Sequence, residues 1–304
     1  MITEQKFDSG LVKLPAWFKQ EVPDMDKIRN MKALFRTGRL HTVCESAHCP
    51  NMGSCWKEGV ATFMILGGTC TRACRFCSVP AGRPDLIDAE EPQSVALSVK
   101  ELGLRYVVIT SVARDDVEDE GAGQFAKTIA AIRAMTPEVK IEVLIPDFSA
   151  RQEPLKVLSQ AAPEVIAHNI ETVRRLSPAV RPQAQHDRSL QVLHAFRQLN
   201  PNSFIKSSLM VGLGETGEEI TGVMRELLDA GCQILTIGQY LAPSRGKRHF
   251  PVKKFYSPQE FEHYRHKGLD MGFLYVESGP LVRSSYIAER GFQGALTALK
   301  GYRP

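Results

Sequence analysis

The chain has 304 residues, 43% of them hydrophobic, which is enough apolar material to bury a full core as one large domain with or without appendages. A formal net charge of +4 is small for this length and argues against wholesale nucleic-acid binding. No apolar run approaches ~18 residues, and the opening MITEQKFDSG has no basic stretch followed by an apolar one. Neither a membrane span nor a secretory signal is therefore expected, and the expected compartment is the cytoplasm, or a matrix-like one if a transit peptide has been removed.

Residues 1–59 read as an arm rather than a domain. Leu14 to Phe18 is a short apolar anchor, and Met25 to Leu40 places Met25, Ile28, Met31, Ala33, Leu34 and Phe35 at roughly helical spacing. A cysteine triplet follows, Cys44, Cys49 and Cys55, spaced C-x4-C-x5-C among turn-forming residues. From Ala61 onward strand and helix alternate. Strands are predicted at 61–66, 106–111, 140–145, 165–169, 204–211 and 233–240, and helices near 92–102, 123–135, 153–162, 188–199, 218–230 and 258–271. Six such units in series argue for parallel strands with right-handed crossovers.

A doubly wound sheet and a barrel both fit that alternation. Thr110-Ser111, Asn169 with Glu171, Gly212 with Gly214 and Glu215, and Gln239 with Tyr240 all fall at or just past strand C-terminal ends in different units. Each alone serves as a loop cap; together they suggest a ring around one mouth, which a barrel gathers and a flat sheet does not. The expected fold class is α/β, a partial (β/α)6 TIM-type barrel spanning 60–280, with its open side covered by the arm or by a partner. An N-terminal cluster-binding arm (1–59) and a short C-terminal extension (281–304) flank it. In the extension, Ser284-Ser285 precede a helical stretch from Ala288 to Leu299, where a serine pair ordinarily caps the helix.

The stretch with the most chemistry is Cys70-Thr71-Arg72-Ala73-Cys74-Arg75-Phe76-Cys77, spaced C-x3-C-x2-C after the first predicted strand. Three thiolates in one turn-sized loop can hold three irons of a cubane cluster and leave the fourth iron open for chemistry. A zinc knuckle or a disulfide is the plainer alternative, but zinc sites usually pair C-x2-C units and close all four positions. Six of the seven cysteines lie between Cys44 and Cys77, a clump that reads as metal ligation in a reducing compartment. Cys232 matches no cluster spacing and is expected to be a buried apolar thiol.

This loop, placed after the first strand of a β/α chain, resembles that of the radical S-adenosylmethionine superfamily. With the upstream triplet and the distal Arg283-Ser284-Ser285-Tyr286, the chain is similar to the lipoyl synthase family over about Cys44 to Tyr286. Further matching stretches are Ile109 to Val112, Asp115-Asp116, His168 to Thr172 and Lys206 to Glu215; Ile287 departs from the histidine that family members often carry there. The resemblance implies that Cys70, Cys74 and Cys77 hold a 4Fe-4S cluster whose unique iron chelates S-adenosylmethionine. It also implies that Cys44, Cys49 and Cys55 hold a second 4Fe-4S cluster, with Ser285 as its fourth ligand. Serine oxygen is a harder donor than thiolate and releases iron more readily, in line with the family's use of the second cluster as sulfur donor.

The implied reaction is sulfur insertion at C6 and C8 of a protein-bound octanoyl-lysine. Its partners are an octanoylated carrier, of the lipoyl-domain or glycine cleavage H-protein type, and a low-potential electron donor; no nucleic acid or membrane takes part. By analogy with relatives, Asn169 and Glu171 are candidates for binding the adenosyl part, followed by Thr110, Ser111 and Arg181, the last otherwise a surface-loop arginine. Gly212 and Gly214 either admit the cofactor closely or merely turn the chain. Asp115-Asp116 is open to a salt-bridged reading. The basic clusters Arg174-Arg175, Arg245 to Arg248 and Lys253-Lys254 are solvated faces or, for one of them, the dock of an acidic carrier. Competing readings are a biotin synthase-like sulfur-inserting enzyme, which has a different auxiliary site, and a non-catalytic iron-sulfur carrier.

Overall fold

The computed structural model describes residues 14–19, 24–38, 40–47, 49–57, 60–244, 246 and 248–301. A two-residue strand, β1 (His41–Thr42), runs antiparallel to β2 (Thr62–Ile65), with His41 opposite Met64. From β2 every step is parallel and between neighbours in sequence: β3 (Tyr106–Ser111), β4 (Lys140–Leu144), β5 (Val165–Ala167), β6 (Phe204–Val211), β7 (Ile234–Gln239) and β8 (Tyr275–Gly279). The order β1 to β8 leaves β1 and β8 as the edges, with no ladder between them among the described residues. The barrel is therefore open on that side.

The arm contributes α1 (Met25–Thr37), α2 (Val43–Ser46) and α3 (Met52–Lys57), and the barrel carries α4 (Glu91–Glu101), α5 (Ala122–Met135), α6 (Gln152–Gln160), α7 (Ser177–Val180), α8 (His186–Leu199), α9 (Gly217–Asp229) and α10 (Pro258–Met271). A last helix, α11 (Ala288–Gly301), follows β8. The six predicted strands form the body of the barrel; the sequence reading missed β8 and β1. Burial explains why the central strands read as continuous apolar runs: every residue of β2 and β7 is buried, as expected for strands covered on both faces. α9 and α10 each begin in a reciprocal capping box, Thr216 with Glu219 and Ser257 with Glu260, which satisfies backbone N–H groups at the helix start.

Two features close the fold around the site. Below, the first residues of β3, β5, β6 and β7 (Tyr106, Val165, Phe204 and Ile234) form a core with Ala288, Phe292 and Ala295, so α11 plugs the barrel floor. Glu142 lies at that floor, pairing with Lys206 Nζ at 2.7 Å and accepting from Tyr106 Oη at 2.7 Å, which satisfies a buried charge by ion pairing and hydrogen bonding. At the side, Phe35 of α1 packs edge-on against Trp56 (5.7 Å) and Phe63 of β2 (5.6 Å), anchoring the arm to the barrel wall. The serine pair does not directly precede the helix: Ser284 and Ser285 lie in a turn, and Ile287, at φ 41°, separates them from α11.

Candidate functional site

β2 is followed by Leu66 and Gly67, both at positive φ (70° and 90°), and this sharp exit throws the next residues across the barrel mouth. Glu91 holds the exit by accepting the Leu66 N–H at 2.9 Å. The loop carrying Cys70, Cys74 and Cys77 is then tied down from every side. Thr71 donates to Ala113 O (3.1 Å) and Arg75 to Val180 O (2.7 Å), and the Phe250 amide donates to Arg75 O (2.8 Å). Gln183 accepts from the Ala73 amide at 2.6 Å and donates to Thr71 O, and His249 Nε2 sits 3.1 Å from Cys77 O. Cys70 Sγ accepts from the Arg72 and Ala113 amides at 3.4 and 3.3 Å. These two amides fix the position of the Cys70 sulfur within the loop.

The latch of this loop is Arg72. Its guanidinium, 8% exposed, reaches Asp115 at 2.6 Å and the fully buried Asp147 at 2.7 Å, with Arg188 on the far side of Asp147 at 3.5 Å. Arg72 holds Asp115 and Asp147 below the usual carboxylate range despite burial. Asp147 is presented by an unusual turn: Phe148, Ser149 and Ala150 all have positive φ (42°, 49° and 54°), costing roughly 1–2 kcal/mol per residue. Asp115-Asp116 is thus salt-bridged, Asp116 to Arg114 at 2.8 Å.

The C-terminal end of β3 and the segment that follows β5 bring Thr110, Ser111, Asn169, Glu171 and Arg181 to the same mouth. Arg181 is not a surface arginine. It is 2% exposed and donates to Ser177 Oγ, Ser189 Oγ and Asn169 O, while burial pulls its guanidinium below the ordinary value. Glu171, at φ 65°, accepts from Asn169 Nδ2 at 3.0 Å, and burial raises its carboxyl. Asn169 Oδ1 and Ser111 Oγ are buried with no hydrogen-bond partner among the described residues, although both residues line the cavity. Such orphaned groups are costly unless a ligand satisfies them. His168, between Ile145 O and Ser189 Oγ, is pushed by burial to about 4 and stays neutral near pH 7.

The second triplet shares with the first one cavity of about 570 Å³, lined by all six clustered cysteines and by Ser284 and Ser285. Cys44 is on α2 and Cys55 on α3, with Cys49 between them. Burial and the neighbouring Cys49 raise the Cys44 thiol to about 11, burial raises Cys49 and Cys77, and burial with Cys77 raises Cys74 to about 12. Metal binding is what deprotonates such desolvated thiols. The tail supplies Arg283, Ser284 and Ser285 from the far side of the open edge; it approaches so closely that a Cβ on Gly238 would stand 2.1 Å from Val282 O. Among the described residues no three His, Cys, Asp or Glu donors converge as about a single ion. Thiolates around a cubane each bind a different iron and stand further apart.

All seven cysteines are free. Cys232 is fully buried, its thiol pushed well up by burial, as expected for an apolar thiol. Gly212, at φ 105°, serves close packing of protein rather than cofactor, since a Cβ there would lie 2.6 Å from Lys254 O. Glu215 turns back to accept the Gly212 and Leu213 amides. Sequence reasoning missed Asp147, Gln183 and His249; the loop residues they hold lie 75, 110 and 172 residues away, and no local spacing signals them.

The model of the radical SAM superfamily matches residues 64–227. The chain is 52% identical over 289 residues to the lipoyl synthase of Rubrobacter xylanophilus, covering 95% of this chain and 89% of that one. It is 50% identical over 296 residues to the lipoyl synthase of Proteus mirabilis, covering 97% and 91%. Among solved structures, HydG, a maturase of the FeFe hydrogenase, superimposes with a TM-score of 0.57 at 15% identity, over 70% of this chain and 50% of that one, a likeness of fold alone.

Proposed function

This chain belongs to the lipoyl synthase family of the radical SAM superfamily, and we propose that its six clustered cysteines and Ser285 hold two iron-sulfur clusters with separate tasks. The activity is that of the family: radical S-adenosylmethionine-dependent insertion of sulfur at C6 and C8 of an octanoyl group borne by a lipoyl-carrier protein. In this reading Cys70, Cys74 and Cys77 hold the cluster that works with S-adenosylmethionine. Cys44, Cys49, Cys55 and Ser285 hold an auxiliary 4Fe-4S cluster that donates sulfur. The single observation that carries this reading is that both triplets and Ser285 line one cavity.

When bound, the first cluster and S-adenosylmethionine supply one-electron chemistry strong enough to take hydrogen from an unactivated carbon. The chain's own residues hold, orient and shield. Asn169 Oδ1 and Ser111 Oγ, orphaned without a ligand, accept and donate to the cofactor; Thr110 and Glu171 shape the same wall, and Arg181 fixes Asn169 through its backbone oxygen. The Arg72 latch keeps the cysteine loop at one distance from that wall. The largely apolar cavity excludes water from the reacting chain.

The three-part division at 59/60 and 280/281 fits these tasks, with arm and extension supplying the auxiliary ligands. For the carrier we propose a lipoyl domain or an H-protein type module, and for the reductant a low-potential one-electron donor. Arg174 and Arg175 already pair with Asp187, Glu226 and Glu219. Arg248 and Lys253 are exposed near the mouth and are the better candidates for an acidic carrier, while Arg245 and Lys247 lie outside the described residues. Among the described residues no helix is long and apolar enough to cross a membrane. The clump of free thiols supports a reducing compartment, which we propose to be the cytoplasm.

The test is anaerobic incubation with reductant, S-adenosylmethionine and an octanoylated carrier, followed by mass measurement of the carrier. A gain of two sulfurs is expected. Cofactor cleavage without sulfur gain removes the sulfur-inserting role, and zinc without sulfide in the reconstituted protein removes both clusters.

A further inference from the structure

Ser189 lies in the first turn of α8 and is fully buried. Its Oγ stands 2.9 Å from Arg181 Nη2 and 2.9 Å from His168 Nε2, and His168 Nδ1 stands 2.9 Å from Ile145 O. The protons of this chain have one arrangement. A carbonyl oxygen only accepts, so His168 Nδ1 carries the hydrogen; the ring is neutral, so Nε2 offers a lone pair. Ser189 therefore donates its single O–H to Nε2, and its oxygen accepts from Arg181, which can only donate. Arg181 carries this order to the cavity: its Nε donates to Ser177 Oγ at 3.1 Å and its Nη1 to Asn169 O at 3.2 Å. Asn169 is thus held at its backbone by Arg181 and at its side-chain Nδ2 by Glu171, 3.0 Å away. Its Oδ1, buried and without a partner among the described residues, is left on the cavity wall.

We propose that Ser189 is a positioning residue for S-adenosylmethionine, its hydroxyl locking the Arg181 guanidinium so that Asn169 presents Oδ1 to the adenosyl part. This rests on the reading of Asn169 as an adenosyl-binding residue. Ser189 is not among the residues that line the cavity and acts through its neighbours. His168 fixes the direction of the hydroxyl, the hydroxyl fixes the plane of the guanidinium, and the guanidinium fixes the carbonyl of Asn169. The adjacent Arg188 reaches Asp147 at 3.5 Å, so the same helix start also bears on the Arg72 latch.

The test uses the full chain reconstituted with iron and sulfide but without reductant, so that S-adenosylmethionine binds uncleaved and equilibrium dialysis reads its affinity. Ser189→Ala leaves Arg181 Nη2 and His168 Nε2 each short of a partner, and affinity is expected to fall about tenfold. In an Asn169→Ala background the same substitution is expected to change affinity less than about twofold, because the acceptor that the chain positions is gone. A general loosening of the fold lowers both alike. In protein carrying ¹⁵N-histidine, the His168 Nε2 resonance of Ser189→Ala is expected to move toward that of an imidazole nitrogen without a donor. Ser189→Thr keeps the hydroxyl and carries the test if the alanine variant does not fold; it is expected to retain the resonance, and the affinity within about threefold. Unchanged affinity in Ser189→Ala, equal losses in the two backgrounds, an unmoved resonance, or a loss of affinity in Ser189→Thr as large as in Ser189→Ala overturns the proposal. Asn169→Ala that binds S-adenosylmethionine as tightly as the parent overturns the adenosyl-binding reading, and this inference with it.

Discussion

Asp147→Asn isolates the latch on the loop from Cys70 to Cys77. The carboxylate is fully buried between Arg72 Nη2 at 2.7 Å and Arg188 at 3.5 Å, and it also accepts the Ser149 amide at 3.2 Å. Asparagine keeps the shape and one acceptor but removes the charge, leaving Arg72 with Asp115, whose side chain is 38% exposed, and a distant Glu120 at 3.9 Å. Breaking a buried pair by removing one partner costs ~3–5 kcal/mol, and the exposed Asp115 replaces little of that. The retained acceptor places the expectation near the lower end, at about 3 kcal/mol in urea unfolding of the metal-free protein at pH 7. The pH dependence has a definite sign. The folded pKa of Asp147 is depressed below its ordinary 3.8, so its contribution is complete above that value and is lost as pH falls through the folded pKa. The gap between parent and variant is therefore constant above about pH 5 and closes under stronger acid. A gap below about 1 kcal/mol at pH 7, or one that widens on acidification, refutes the latch.

Cys49→Ala is expected to retain S-adenosylmethionine cleavage and lose sulfur insertion, whereas Cys74→Ala loses both; equal loss of cleavage in the two, measured by product chromatography, contradicts separate cluster roles. Burial depresses His168 from 6.5 to about 4, so it costs the fold nothing above pH 6.5 and on the order of 3 kcal/mol once pH reaches the folded value. His168→Gln should flatten the stability profile between those limits, and a profile of unchanged slope excludes the assignment. Gly238→Ala drives a Cβ into Val282 O, a backbone atom that yields little; a loss of roughly 1–3 kcal/mol is expected by denaturation. Its sulfur insertion should fall while S-adenosylmethionine cleavage persists, because the displaced segment carries Ser285. Charge reversal at Arg248 should weaken carrier binding at low salt by a factor that shrinks with ionic strength, and salt-independent affinity counts against that dock.

The parallel strands were readable because each is sealed on both faces and so appears as a bounded apolar run. β8 escaped because Tyr275–Gly279 is only partly buried at the open edge, and β1 because two residues make no pattern. The cysteine triplets announced themselves by spacing, which is local. Arg72 gave no such signal: its partners are 43 and 75 residues away, and only the barrel brings them to it. Arg181 shows the same limit from the other side, since its flanking Val180 and Pro182 suggest an exposed loop while its Oγ and backbone partners bury it. Ser285 sits between these cases. Its motif was readable, yet a helix cap was an equal account until the turn at Ile287 separated it from α11.

The open edge of the barrel is what makes room for the second triplet. A sheet closed by pairing β8 to β1 would place a backbone ladder where the arm and the tail now meet. Instead β1 lies antiparallel on β2, so Cys44 follows directly beside Thr62, and the tail leaves β8 toward the same gap. Asn51 of the arm donates to Leu281 O of the tail, and Ser78, just after the first triplet, donates to Ser46 O. The first triplet, the second triplet and the serine turn are thus joined by direct bonds, although they arise from distant parts of the sequence. α11 extends the coupling downward: the helix that follows Ser285 is the one that plugs the floor. The serine turn is therefore strung between two fixed points, the β8 edge and the floor core. It lines the cavity of the cysteines without being built into a helix or a strand, a placement that suits the proposed role of Ser285 as a ligand that binds and then lets go.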